Sequence, residues 1–438
     1  MKLLESFRKH AFWAMDFFKG SPIRKHYNDI KFILENYDSE KSINIRKNHL
    51  KNVLNHSVQT TPFYKNINLS PELSDFPIID KSVVRNNFEE FKSLQFINKN
   101  NTPVVTSGST GTPFKLFHDK GKRSRNTADV IYFAKKGGFD IGSCLIYMKV
   151  WNKINTKSPF KLWLENIIPY SIFNYTDEDI VKLIEDIKSY KSECGIVCFA
   201  STCDVIVNYL DSIKAKPFDY KISSIITNSD ALSNHTKDRM EKYFKVPTLS
   251  RYSSMECGLI GQQCYSGGYE FQVNWASFYI ELLDLEEDKP AEPGKMGRVV
   301  ITDLFNYCMP LIRYNTGDLA FLSPNKKDVN GAPVLERIEG RKVDLIRDTN
   351  NQVITSHIVT VNMWKYDELK QYQFVQKGSN NYVFRLNPWK EFLREQELIN
   401  EFKGYLGNDA NITIKYIDEI PLLSSGKRRL VTNETLNS

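Results

Sequence analysis

Between residues 102 and 227 short apolar runs alternate with amphipathic stretches, and this alternation constrains the fold more than any other feature. The runs fall at 102–106, 145–150, 195–200 and 222–227. The clearest stretch between them is 177–190, where Ile180, Leu183, Ile184 and Ile187 share one helical face. Thr176, with Asp179 three residues on, forms a capping box that marks its start. A strand that re-enters its sheet through a helix runs parallel to the strand before it. The pattern therefore predicts an α/β architecture with mainly parallel strands.

The flanks read differently. Leu4, Phe7, Ala11, Met15 and Phe18 recur at three- and four-residue steps, with basic residues between them. This predicts a helix, and one packed on its own domain rather than laid on a membrane surface. A second helical stretch, 45–56, ends near Thr61-Pro62. From 271 to 322 the chain is strand-rich, with 279–283 and 298–303 as neighbours across the turn-rich segment 290–297. A break is expected near Gly331-Ala332-Pro333. Beyond it a small α+β unit follows, with a helix over 391–402 and a strand over 411–416. No repeat of solenoid period is present. The domains are expected at 1–339 and 340–438.

Composition excludes several classes. At 41% hydrophobic and 25% charged residues the chain is an ordinary globular one. Lys and Arg outnumber Asp and Glu by 59 to 52, a net charge of +7. The basic residues are interleaved with acids rather than gathered in a stripe, so a nucleic-acid partner is not expected, whereas small anionic substrates are compatible. No stretch reaches 18 consecutive apolar residues, so no transmembrane segment is expected. Arg8, Lys9, His10 and Asp16 interrupt any secretory h-region. The seven Cys form no even framework, which points to free thiols in the cytoplasm. Cys194-x₃-Cys198 has a spacing seen in zinc sites, but Cys198 lies in an apolar run and reads as a core thiol.

The sharpest local feature is Thr106-Ser107-Gly108-Ser109-Thr110-Gly111-Thr112-Pro113. Glycines let a backbone approach an anion closely, and successive N–H groups and hydroxyls can cradle phosphate oxygens. It is not a Walker A loop, because no Gly-Lys-Ser/Thr follows. Alone it is equally compatible with a surface turn.

Four further segments follow in order. They are Arg251-Tyr252-Ser253-Ser254-Met255-Glu256, Arg313-Tyr314-Asn315-Thr316-Gly317-Asp318, Gly340-Arg341-Lys342-Val343-Asp344, and the stretch from Pro421 to Arg429 with Ser424-Ser425-Gly426-Lys427. Together with the glycine loop, this series resembles the motifs of the adenylate-forming superfamily. Within it the chain most resembles the phenylacetate-CoA ligase group, especially its CapK-type capsular-polysaccharide relatives. Thr60-Thr61-Pro62-Phe63-Tyr64, the segment 371–376, and Glu256-Cys257-Gly258 with Gln263-Cys264 carry that resemblance. It implies a large N-terminal multi-sheet α/β domain with a small, mobile C-terminal α+β domain.

By this resemblance Ser107, Gly108, Ser109, Thr110, Gly111 and Thr112 hold the β- and γ-phosphates of ATP. Glu256 holds Mg²⁺, Tyr252 lies against adenine, and Ser253 belongs to the same ATP-binding segment. Ser229 and Asp230 line the adenine pocket. Asp318 accepts hydrogen bonds from the ribose hydroxyls, and Arg341 contacts the ribose or α-phosphate side. Lys427, carried by the small domain, bridges carboxylate and α-phosphate. Lys115 reads instead as a solvent-facing strand lysine, and His118 as a strand histidine. Val343 and Gln272 depart from the family pattern.

The implied activity is activation of a small carboxylic acid as an acyl-adenylate, with release of pyrophosphate. Transfer to the thiol of CoA, or to phosphopantetheine on an acyl-carrier protein, would follow. The CapK-like resemblance adds surface-polysaccharide modification and is compatible with a homodimer. Two alternatives stand beside it. One is direct transfer to an amine or hydroxyl. The other is a non-catalytic nucleotide-binding scaffold in a biosynthetic complex.

Overall fold

The computed structural model describes residues 2–106, 114–149, 151, 156–172, 176–190, 192–219, 221–229, 231–341, 346–354, 357–363, 365–366, 368–421 and 429–435. The chain divides into two compact units. The first is Met1–Leu232, Thr236–Thr316 and Ala320–Arg337; the second is Ser233–His235, Gly317–Leu319 and Ile338–Ser438.

The first unit opens with α1 (Lys2–Phe18), α2 (Pro22–Glu35), α3 (Glu40–Thr60) and the short α4 (Lys81–Asn86). Strands β1 (Thr102–Thr106) and β2 (Phe114–His118) form an antiparallel hairpin. The run at 102–106 therefore does not join the parallel sheet. Too few residues separate the two strands for a crossover, so they can pair only antiparallel. Then come α5 (Lys120–Lys136), β3 (Cys144–Lys149), α6 (Pro159–Glu165), β4 (Ile167–Ser171), α7 (Asp177–Ser189), β5 (Cys194–Phe199), α8 (Ala200–Ser212), β6 (Ile222–Asn228), α9 (Asn234–Phe244) and β7 (Thr248–Ser254).

In this stretch β4, β3, β5, β6 and β7 lie side by side and parallel, as the alternation predicts. Helix α7 buries Ile180, Leu183, Ile184 and Ile187, and its capping box between Thr176 and Asp179 is present. These side chains join a core with Ile146 and Met148 of β3, Ile196 of β5 and Ile225 of β6. Cys144, Cys194, Cys198 and Cys203 are buried in the same core, and the Cys198 and Cys203 sulfurs lie 3.3 Å apart.

The sheet continues with β8 (Gly258–Gln263), β9 (Phe271–Val273), β10 (Phe278–Leu283), β11 (Met296–Asp303), β12 (Tyr314–Lys327) and β13 (Pro333–Arg341). The order β10-β11-β12-β13-β9-β8-β7-β6-β5-β3-β4 makes eleven strands. Pairs β7–β8, β8–β9, β9–β13 and β10–β11 are antiparallel. The pairing of β10 with β11 matches the expected neighbours. The break expected at Gly331-Ala332-Pro333 is instead a turn joining β12 to β13. There the Asp328 carboxylate accepts the N–H groups of Asn330 and Ala332. Gly331 adopts φ 86°, a left-handed conformation that glycine permits.

The second unit contains β14 (Ile346–Arg347), β15 (Val353–Ile354), α10 (His357–Met363), β16 (Leu369–Gln376), β17 (Asn381–Pro388), α11 (Glu395–Leu406), β18 (Asn411–Tyr416) and β19 (Val431–Asn433). Its four-stranded sheet has the order β18-β17-β16-β19. Helix α11 buries Leu398, Phe402 and Leu406 in a core with Phe374 and Phe384 of the sheet. It begins four residues later than the pattern over 391–402 suggests and runs to Leu406.

Candidate functional site

The glycine-rich segment leaves β1 at Thr106 and enters β2 at Phe114, two residues paired across the hairpin. Ser107, Gly108, Ser109, Thr110, Gly111 and Thr112 lie outside the described residues, as do Asp230, Val343, Asp344 and Lys427. The Arg341 side chain is likewise not described. Along β2, Phe114, Leu116 and His118 are buried while Lys115 is exposed, as expected for a strand lysine facing solvent.

Glu256 sits in the turn between β7 and β8 and is buried. Lys81 Nζ lies 2.8 Å from its Oε1. The Tyr314 hydroxyl donates to the same oxygen at 3.0 Å. Phe114 stacks on Tyr314 with centroids 6.4 Å apart and planes 11° apart. Lys81 Nζ also lies 5.6 Å from the Phe114 ring centroid, within reach of a cation–π attraction. The His118 Nε2–H donates to the Glu256 carbonyl at 2.9 Å. Two segments distant in sequence thus meet at the Glu256 carboxylate, and β2 packs beside them through Phe114 and His118.

The backbone explains this convergence. Ile79 donates to the Arg313 carbonyl at 3.1 Å and accepts from Asn315 N–H at 2.7 Å. These two bonds hold the chain before α4 alongside the start of β12. Asp80 then caps α4 by accepting from Ser82 and Val83 N–H, both at 2.8 Å, and Lys81 opens the helix beside Glu256. Arg313 adopts φ 51°, a conformation that costs a non-glycine residue energy. Its guanidinium is held by Glu281, with Nε at 3.2 Å and Nη2 at 3.0 Å. Beneath the cluster, Lys122 Nζ and Asp303 Oδ2 form a fully buried ion pair at 2.7 Å.

Burial alone would raise the Glu256 carboxyl. The Lys81 ammonium and the hydrogen bonds from Lys81, its own backbone and Tyr314 outweigh burial, so the group stays below the ordinary carboxylate value. Burial, reinforced by nearby Lys122, holds His118 below the usual histidine value. The cluster therefore combines an ionised carboxylate with a neutral imidazole at pH 7.

Tyr252 lies near the carboxyl end of β7, half-buried, with its hydroxyl 3.5 Å from Thr316 Oγ1. Thr316 in turn donates to the Val299 carbonyl at 3.0 Å. Ser253 is exposed on the same strand. Ser229 is exposed just past the carboxyl end of β6, with φ 73°. Strands β6 and β7 are parallel neighbours, so Ser229 and Tyr252 emerge at the same end of the sheet. In open α/β sheets ligands bind outside those carboxyl ends. Asp318, half-buried, lies on β12 two residues beyond Thr316.

Sequence reasoning missed Lys81 and assigned no role to Tyr314 or Phe114. The Asp80-Lys81-Ser82 start of a helix is readable as a cap. Its partner is not, because Lys81 and Glu256 stand 175 positions apart. Among the described residues no group of three or more His, Cys, Asp or Glu could hold a metal ion.

Residues 345–434 match the family model described as the CapK C-terminal domain. Along its length the chain is similar to Protein CapK of Staphylococcus aureus, 22% identical over 451 residues that cover 95% of this chain and 94% of the relative. It superposes on 2-hydroxyisobutyryl-CoA ligase, solved in the postadenylation state in complex with R3-HIB-AMP. The TM-score is 0.70 at 13% identity, covering 92% of this chain and 93% of that one. ATP-bound MatB from Rhodopseudomonas palustris superposes with a TM-score of 0.54 at 12% identity, covering 75% of this chain and 66% of that one. The chain thus has the fold of these adenylate-forming ligases, and its residues 345–434 are similar to the CapK C-terminal domain.

Proposed function

We propose that this protein activates a carboxylic acid with ATP, forming an acyl-adenylate and pyrophosphate, and passes the acyl group to a thiol. The observation that carries the reading is Glu256. A buried carboxylate is costly unless it is paired, and this one is kept ionised by Lys81 and Tyr314 beside the carboxyl ends of parallel strands.

The residues present fit a magnesium ion. Mg²⁺ binds through one or two carboxylates plus water and substrate phosphates rather than through an all-protein cage. Both side-chain donors to Glu256 end on Oε1, and Glu256 is the residue that would hold the cation. When bound, the ion would neutralise charge on the phosphate oxygens as pyrophosphate departs.

This chain's own residues supply the remainder. Lys81 holds the carboxylate in register, and its ammonium adds positive charge where two anions must meet. Ser107 to Thr112 would bind the β- and γ-phosphates. Tyr252, Ser229, Ser253 and Asp230 would line the adenine site, and Asp318 and Arg341 would bind the ribose side. Lys427 would bridge the acid and the α-phosphate as negative charge develops. The similarity to CapK supports supply of an acyl group for surface-polysaccharide modification.

The test is pyrophosphate release from MgATP across a panel of carboxylic acids, with and without CoA. Release with one acid should fall by about 10²–10³ in Glu256→Gln and in Lys427→Ala. AMP formation that rises with CoA identifies a free thiol acceptor, whereas release indifferent to CoA moves the acceptor to a carrier protein, an amine or a hydroxyl. ATP binding without turnover of any acid would sink the reading and favour a scaffold.

A further inference from the structure

Helix α1 is turned inside out. Its buried residues are Arg8 and Asp16. The Asp16 carboxylate accepts the N–H groups of Ile23 at 3.0 Å and Arg24 at 2.9 Å, capping α2. Lys9 pairs with Asp140 on the loop before β3. Phe12 and Trp13 are the aromatic side chains of α1 that pack against the core with Tyr27 and Tyr132. At 100° per residue, Leu3, Phe7, Ala14 and Phe18 fall within a narrow stripe on the opposite side. Leu3 is 88% exposed, Phe7 60% and Phe18 85%. Phe17 and Met15 flank the stripe and are exposed too.

Helix α6 lies beside α1 and carries exposed aromatic side chains of its own. The Arg8 guanidinium lies 5.2 Å from the Trp163 ring centroid, which sets α6 against α1. Phe160 and Trp163 stack on each other, and both are exposed. Folding therefore leaves outside the residues that burial would normally claim first.

The charges around this face select its partner. Among residues 2–25 the exposed charged side chains are Lys2, Lys19, Arg24 and Lys25, all basic. Lys161, on α6, is exposed as well. Two copies of α1 packed antiparallel about a two-fold axis would set Lys2 of one against Lys19 and Lys25 of the other. Like charges would then meet at both ends. An anionic bilayer surface instead offers headgroups to the basic ends and acyl chains to the phenylalanines. No helix among the described residues is long and apolar enough to cross a membrane, so the helix would lie on the surface. We propose that α1, with Phe160 and Trp163 of α6, docks this protein on anionic lipid membranes.

Vesicle co-sedimentation of the full chain tests this, with phosphatidylcholine vesicles containing phosphatidylglycerol or lacking it. Binding should be at least about tenfold tighter to the anionic vesicles and should weaken with salt. The double substitution Phe7→Asp with Phe18→Asp should lower it by about tenfold or more. Because both positions are exposed, the melting temperature should hold. Lys19→Glu with Lys25→Glu leaves the apolar face intact and should abolish the preference for anionic lipid. Absence of binding to phosphatidylglycerol vesicles, or equal binding by the Phe7/Phe18 variant, overturns the proposal. So does a concentration-dependent dimer, seen by analytical ultracentrifugation, that the same variant dissociates while vesicles bind neither protein.

Discussion

Two regions of this molecule break the ordinary rule of burial in opposite senses. Around Glu256 charge goes inside: the carboxylate is buried and satisfied by Lys81 and Tyr314. On α1 apolar surface stays outside, with Phe7, Phe17 and Phe18 exposed while Arg8 and Asp16 turn inward. Helix α7 shows the rule obeyed, since its isoleucines and leucine face the core beneath the parallel strands. Both departures oppose the hydrophobic term that drives folding, so each needs a compensating partner. Glu256 finds its partners within the fold. The apolar face of α1 finds none among the described residues, which is why its partner is sought outside. Departures of this kind concentrate where function works against stability.

The contrast can be broken by substitution, and the largest effect is expected where the rule is obeyed. Leu183→Ala on α7 should destabilise the protein by about 2–5 kcal/mol, through lost burial and the cavity left behind. A shift in the urea midpoint measures it. An effect below about 1 kcal/mol would show that α7 adds little to the core.

A middle effect is expected at Glu256. Lys81→Met should cost about 1–3 kcal/mol at neutral pH, because it leaves a buried carboxylate without its cation. The pH dependence sharpens this. With Lys81 present the Glu256 value in the folded state lies below its ordinary 4.5. The carboxylate then contributes stability above pH 4.5 that is lost as pH falls through the lower folded value. Removing Lys81 removes the two largest causes that lower it, so the folded value should rise. The variant then loses part or all of the stability that the carboxylate contributes above pH 4.5. The melting-temperature gap between wild type and variant should therefore widen from pH 4 to pH 7. A gap independent of pH would mean that Lys81 acts only through packing.

The smallest effect belongs to α1. Phe18→Ser should change stability by no more than about 0.5 kcal/mol, because solvent already surrounds the ring. A loss of 2 kcal/mol or more would show that the face is covered by the protein itself.

Much of the scaffold was legible in the sequence, for local reasons. The capping box at Thr176 and the isoleucine periodicity specify α7 within a single window. The runs at 145–150, 195–200 and 222–227 overlap β3, β5 and β6, because short apolar stretches between helices suit a sheet covered on both faces. Other readings needed more than a window. Gly331-Ala332-Pro333 looks like a domain break, but a turn inside one sheet uses the same residue types. The site was legible in part. Glu256 stood out through the order of the motifs, while Lys81 carried no signal of its own.

What the sequence determined by itself is therefore the set of elements and their class. Periodicity, capping and turn chemistry depend on neighbours within four residues or so. Only the tertiary structure decided that Lys81 meets Glu256, through the Ile79 bonds to Arg313 and Asn315. It alone decided that α1 turns its charges inward, because Asp140 and the amino end of α2 lie on that side. A helical pattern specifies two faces. Which of them is buried depends on what the rest of the chain places beside it.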